Sequence, residues 1–140
     1  MNTRERNPVV AFLETAAGPL LRGAWQYNHD DYYTLYLRDD VADRYSDTDF
    51  EALFDALRTS GPRDDVLEQL GEIGRLHCDV RMYDGAVTLH ILQRDDVGTL
   101  VSLDPDAATD LTSFVNQLIR ELHSHSPQEF DAAPTWMDRD

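Results

Sequence analysis

No lysine occurs anywhere in this chain of 140 residues, and all 12 basic residues are arginine. Against them stand 27 acids, for a formal net charge of −15. A surface this negative repels a phosphate backbone, which argues against nucleic acid as a partner. Cysteine is nearly absent as well. The single Cys78 permits no internal disulfide and offers no cysteine cluster for zinc. No stretch approaches the roughly 20 apolar residues of a membrane span, and Met1–Asn7 is too polar to begin a signal peptide. Also missing are a phosphate loop, a dinucleotide glycine motif after a strand, a nucleophile elbow and a zincin motif. These absences lead us to expect a cytoplasmic protein with no membrane contact, no cofactor, no metal site and no catalytic residues.

What is abundant is aspartate, which supplies 20 of the acids. Short hydrated carboxylates keep a surface soluble when salt favours burial and association. The charge therefore reads as adaptation to salt, not as a site for a cationic ligand. The group Asp43, Asp47, Asp49 and Glu51 lacks the spacing and the glycine of a 12-residue calcium loop.

The best-specified stretch runs from Gly74 to Leu122. If Asp84-Gly85 forms a two-residue turn of the primed type, Tyr83 faces Ala86 and the pairs follow outward. Met82 then meets Val87, Val80 meets Leu89 and Cys78 meets Ile91, all on one apolar face. Arg81 meets Thr88 and Asp79 meets His90 on the other. A slip of one residue would destroy this sorting, so the register is fixed by the side chains. A third strand, Gly98 to Leu103, follows, and Asp104-Pro105 is a strong start for a helix with Leu111, Phe114, Val115, Leu118 and Leu122 on its apolar face.

Earlier in the chain, Asn7-Pro8 opens a helix, with Val9, Phe12, Leu13, Ala16, Leu20 and Leu21 following at helical spacing. Gly18-Pro19 then kinks or ends it. Arg22–Asn28 and Tyr32–Arg38 flank the turn residues 28–31 and read as a hairpin. In its second arm Tyr33, Leu35 and Leu37 alternate with Tyr32, Thr34 and Tyr36, which suggests a strand covered on both faces. Asp39–Tyr45 suits a short helical turn. Ser46 to Asp49 fits a capping box ahead of Phe50, Leu53, Phe54 and Leu57. A second helix, with Val66, Leu67, Leu70 and Ile73, is expected after Gly61-Pro62. Beyond Ser126 periodicity is lost. The expected organisation is one domain over residues 7–125 with a loosely ordered acidic tail over 126–140, in which Phe130 and Trp136 are available as anchors.

The order α-ββ-α(α)-βββ-α implies an α+β domain, a single mostly antiparallel five-stranded sheet flanked by helices. Arg-Asp-Asp-Val occurs at Arg38–Val41, Arg63–Val66 and Arg94–Val97. The three contexts differ, so with aspartate this common the recurrence is coincidence and not a structural repeat. The most site-like group is His77, Asp79 and His90, which the register places on one face. Such a cluster is able to orient a base or, with one more ligand, to bind a metal, but a cross-strand ion pair is the simpler role. His123 and His125 read as stabilising a helix end. Cys78 reads as a small core residue. Trp25, Tyr27, Tyr32, Tyr36 and Tyr83 offer rings and hydroxyls suited to a ligand pocket, or else to a core and its rim.

The element order, together with the run Gly98-Thr99-Leu100-Val101-Ser102-Leu103-Asp104-Pro105-Asp106-Ala107, resembles the roadblock/profilin-like fold. Tyr36-Leu37-Arg38-Asp39-Asp40-Val41 and Leu76-His77-Cys78 resemble small uncharacterised haloarchaeal proteins, as does the acid excess without lysine. The second resemblance carries no activity with it. The first implies a homodimeric interaction or scaffold module for small GTPases or other switches. In that topology the strand Leu76 to Tyr83 lies at an edge, with Arg75, His77, Asp79, Arg81 and Tyr83 as the contact residues. A small-molecule sensor is the alternative, because profilin-like sheets also cover ligand pockets. An enzyme using His77, Asp79 and His90 is a third.

Overall fold

The computed structural model describes residues 8–59, 70–71, 73–108, 111–126 and 128–130. Helix α1 (Pro8–Ala17) ends in a 3-10 turn at Gly18–Leu20 and leads into β1 (Leu21–Tyr27) and β2 (Tyr32–Leu37). Helices α2 (Asp39–Arg44) and α3 (Asp47–Thr59) come next. After them run β3 (Cys78–Met82), β4 (Val87–Arg94), β5 (Val97–Leu103), a 3-10 turn at Pro105–Ala108 and helix α4 (Leu111–His125). The five strands form one sheet in the order β2-β1-β5-β4-β3, every neighbouring pair antiparallel. This is the α+β class expected. The helix expected from Gly61 to Gly74 lies mostly outside the described residues, as do Asn7, the second Arg-Asp-Asp-Val and Trp136. Leu70 and Ile73, meant for its buried stripe, are exposed.

Gly18 settles the fate of α1. It takes a left-handed φ of 55°, a conformation that suits glycine at the end of a helix, and Leu21 then starts β1 fully buried. In the first hairpin the Asn28 carboxamide oxygen accepts from the backbone N–H groups of Asp30 and Asp31 at 3.0 and 2.9 Å. A β-bulge leaves Leu35 without a partner between Trp25↔Thr34 and Ala24↔Tyr36. The simple alternation expected for β2 is therefore broken, since an extra residue reverses the faces beyond it. The strand is nevertheless covered on both sides, Leu35 in one core and Tyr32 in the other.

Two apolar layers sandwich the sheet. On one face α1 and α4 bring Val9, Leu13, Leu118 and Leu122 onto Val87, Leu89, Ile91, Val101 and Leu103. Phe12 and Phe114 stack between the helices with ring centroids 5.8 Å apart. On the other face α3 lays Phe50 and Phe54 over Trp25, Tyr27, Tyr32 and Leu100. Ser46 and Asp49 cap α3 reciprocally: the Ser46 N–H donates to the Asp49 carboxylate at 2.8 Å, and the Asp49 N–H to the Ser46 hydroxyl at 3.2 Å. At the other end of α3, Arg58 donates to the carbonyls of Asn28 (2.6 Å) and Asp31 (2.8 Å), tying the helix to the first hairpin turn.

The β3–β4 register is the expected one at every pair from Cys78↔Ile91 to Met82↔Val87, and Tyr83 N–H donates to Ala86 O at 2.7 Å. The turn itself is different. Neither Asp84 nor Gly85 has a positive φ, so it is not of a primed type, and the side-chain sorting holds the register without it. Asp104-Pro105 likewise opens a 3-10 turn, not the long helix. The Asp104 carboxylate is taken by Arg38, whose Nη1 and Nη2 donate to it at 2.7 and 3.0 Å. It therefore does not act as a cap.

Candidate functional site

Strand β3 is an edge of the sheet. The helices bury its neighbours Val87 and Leu89 to within 1% of full burial but leave Val80 38% and Met82 69% exposed, and Tyr83 beyond them 54% exposed. Backbone phase is set by the bonds Tyr83 N–H to Ala86 O and Leu92 N–H to His77 O (3.0 Å). In an antiparallel ladder hydrogen-bonded and non-hydrogen-bonded pairs alternate. His77, Asp79, Arg81 and Tyr83 thus direct their N–H and C=O groups toward β4, and Cys78, Val80 and Met82 direct theirs outward. Among the described residues no strand lies on that side.

On the face bearing α3, Asp79 stands opposite His90, as the register requires. His90 Nε2 shares a 2.7 Å hydrogen bond with the Tyr27 hydroxyl, while the Asp79 carboxylate accepts from Arg81 Nε at 3.3 Å. His77 is half-buried beside the start of β3. Burial pushes the His90 imidazolium down to about 4, an effect the Asp79 charge only partly opposes. A neutral ring with the Tyr27 hydroxyl donating to Nε2 is the consistent arrangement. Burial also raises the Tyr27 phenol well above its ordinary range. On the opposite face Cys78 packs against the main core, and burial followed by the Asp79 charge pushes its thiol up to about 12. Among the described residues no group of three or more His, Cys, Asp or Glu side chains is placed to hold a metal ion.

The aromatic residues divide. Trp25, Tyr27 and Tyr32 pack with Phe50 and Phe54, Tyr36 packs on the other core, and Tyr83 is exposed. Beside the first group a cleft of about 500 Å³ opens between α2, the start of α3 and the sheet, lined by Arg22, Trp25, Arg44, Tyr45, Phe50 and Thr88 among others. Arg22 donates to the Ser102 hydroxyl at 2.7 Å along one wall.

The model of a family described as Domain of unknown function (DUF7522) matches residues 7–123. The chain belongs to this family. No curated protein matches it. Within the DUF7522 region lies a residue that sequence reasoning passed over. Arg38, to which sequence reading assigned no role of its own, binds Asp104 at the end of β5, Asp40 through Nε at 2.7 Å and the Pro19 carbonyl at 2.8 Å. It holds Asp104 and Asp40 below the usual carboxylate range. Its partners are 2, 19 and 66 positions away, and no local pattern predicts the distant two. In the tail, Phe130 is one of the two anchors the sequence offered, while Gln128 was not singled out. Gln128 is buried and donates to the Gln93 side chain at 3.0 Å and to the Gly98 carbonyl at 3.1 Å, and Phe130 packs on the main core. Among the described residues no helix is long and apolar enough to cross a membrane.

Proposed function

We propose that this chain is a non-enzymatic interaction module in intracellular regulation, working in the cytoplasm as a homodimer joined through the β3 edge. The observation that carries the reading is the edge itself, where outward-directed backbone groups of Cys78, Val80 and Met82 coincide with exposed apolar side chains of Val80, Met82 and Tyr83. An open edge is a template for pairing unless something covers it. The roadblock-like order of elements supports the same reading, with Arg75, His77, Asp79, Arg81 and Tyr83 bordering the contact. Light scattering in molar salt over a range of protein concentrations tests it. A dimer is expected, and a monomer under every condition overturns the proposal.

A second reading has its own observation. The 500 Å³ cleft under α2 and α3 is of a size that suits a small ligand, and a sensor domain would use it. A ligand screen read by quenching of the Trp25 fluorescence tests this reading, because Trp25 lines that cleft. A catalytic role for His77, Asp79 and His90 comes third, since His90 is committed to Tyr27 and Asp79 to Arg81.

A further inference from the structure

The β3 edge is complementary to itself in one register. Two copies related by a two-fold axis perpendicular to the sheet pair their edges antiparallel and set like faces together. The backbone phase requires the outward groups of Cys78, Val80 and Met82 to meet each other. Resting on the homodimer reading above, we infer that the axis passes through Val80. Val80 then faces Val80 of the second copy as a hydrogen-bonded pair, and Cys78 faces Met82 of the second copy in the same way. Between them Asp79 falls opposite Arg81 of the second copy, twice by symmetry, in the non-hydrogen-bonded positions where side chains approach most closely.

Each feature of the strand takes its place in this arrangement. Val80 and Met82, exposed in the single chain, continue the apolar face of their own sheet onto that of the neighbour. The Asp79 side chain is 40% exposed and the Arg81 side chain 65% exposed, and they already touch within one chain at 3.3 Å. The dimer turns this local pair into an alternating square of two acids and two bases. Shifting the axis by one residue to Asp79 sets two carboxylates face to face, and shifting it to Arg81 sets two guanidiniums face to face. Like charges directly opposite destabilise a ladder. Shifts of two residues either way lose the overlap of the strand Cys78–Met82. The result is a continuous ten-stranded sheet that carries both copies of α3 on one face and both α1/α4 layers on the other.

The test combines cross-linking with charge exchange on the full chain in molar KCl. In a Cys78→Ser background, Val80→Cys should oxidise to a covalent dimer, because a hydrogen-bonded pair lies at about 5.5 Å between Cα atoms, inside the range a disulfide spans. Arg81→Cys in the same background should not, because its copies sit two residues out of register, on the order of 8 Å apart. Asp79→Arg alone and Arg81→Asp alone should each weaken dimerisation roughly 10- to 100-fold. The double exchange should restore it, and mixing the two single variants should give a heterodimer. The five substitutions fall at four partly exposed positions, and circular dichroism checks that each variant folds. A dimer that ignores the charge exchanges and cross-links at Arg81→Cys but not at Val80→Cys overturns this register and leaves the homodimer reading standing. A chain that is monomeric throughout overturns both.

Discussion

Lowering the pH should destabilise this protein through one residue, His90, and the structure sets the size of the effect. The imidazole lies on the α3 face of the sheet against Tyr27, with ring centroids 5.7 Å apart and the hydroxyl 2.7 Å from Nε2. Its pKa falls from 6.5 to about 4, chiefly because burial strips water from the charged form. Between those values the unfolded chain binds a proton that the folded chain refuses. The stability supplied by neutral His90 is therefore complete above pH 6.5, is lost progressively as the pH falls toward 4, and changes no further below that. At about 1.4 kcal/mol per pH unit the whole span is worth roughly 3 kcal/mol. Roughly 2 kcal/mol of this is lost between pH 6.5 and 5, before most carboxylates titrate.

Urea denaturation in molar salt, followed by tryptophan fluorescence at a series of pH values, measures the loss. The variant His90→Gln keeps an acceptor near Tyr27 but has no proton to take up, so it serves as the reference. The difference in unfolding free energy between wild type and variant should be flat above pH 6.5 and should shrink by roughly 3 kcal/mol toward pH 4. Nuclear magnetic resonance gives an independent reading as the titration midpoint of the His90 ring. A midpoint near 6.5, or a difference curve flat across the whole range, would refute the burial argument.

Three further perturbations address separate parts of the fold. Arg38→Lys removes the two-pronged contact with Asp104 that a single ammonium does not reproduce; chemical denaturation should show a loss of roughly 1–2 kcal/mol, and the Asp104 carboxyl should titrate closer to its ordinary range. Cys78 has its thiol pushed up to about 12 by burial, so maleimide labelling at pH 8 should be slower in the native chain than in urea by on the order of 1,000-fold; equal rates would mean the thiol is not packed in the core. Gly98→Ala would place a methyl group 2.7 Å from the Tyr27 hydroxyl and 2.8 Å from the Ile91 carbonyl. It should cost roughly 1–3 kcal/mol and disturb the His90 titration, because Tyr27 must move.

Local rules carried the strands of this fold well. Parity outward from a two-residue turn at Asp84-Gly85 placed Met82 on Val87 and Asp79 on His90, because a slip of one residue would exchange the apolar and polar faces of the hairpin. It did so even though the turn is of another type than Asp84-Gly85 suggested. Where a side chain was claimed by a distant partner, the same rules failed. Asp104 looked like a helix cap and is a ligand of Arg38. Leu35 looked like a regular strand position and is the extra residue of a bulge. The candidate site shows the same division. Sequence placed Asp79 and His90 opposite each other but did not show that Tyr27, on a strand far away in the chain, takes the imidazole. Nor did it show that Arg81, two residues along, takes the carboxylate. Periodicity reports which face a residue occupies and not which polar group reaches it first.

The two edges of the sheet show why β3 is where a second copy fits. At the β2 edge Tyr32, Thr34 and Leu35 are buried, and Arg38 and Arg58 fasten the strand ends to Asp104 and to α3. At β3 the last residues of the strand are exposed and their outward backbone groups meet no strand among the described residues. Charge points the same way. The chain as a whole has 27 acids against 12 bases, so two copies repel over most of their surfaces. From Arg75 to Tyr83, however, the sequence carries Arg75 and Arg81 against the single acid Asp79. In a protein this acidic, a stretch whose bases outnumber its acids lessens the repulsion between two copies, and it coincides with the strand whose outward backbone groups meet no other strand among the described residues.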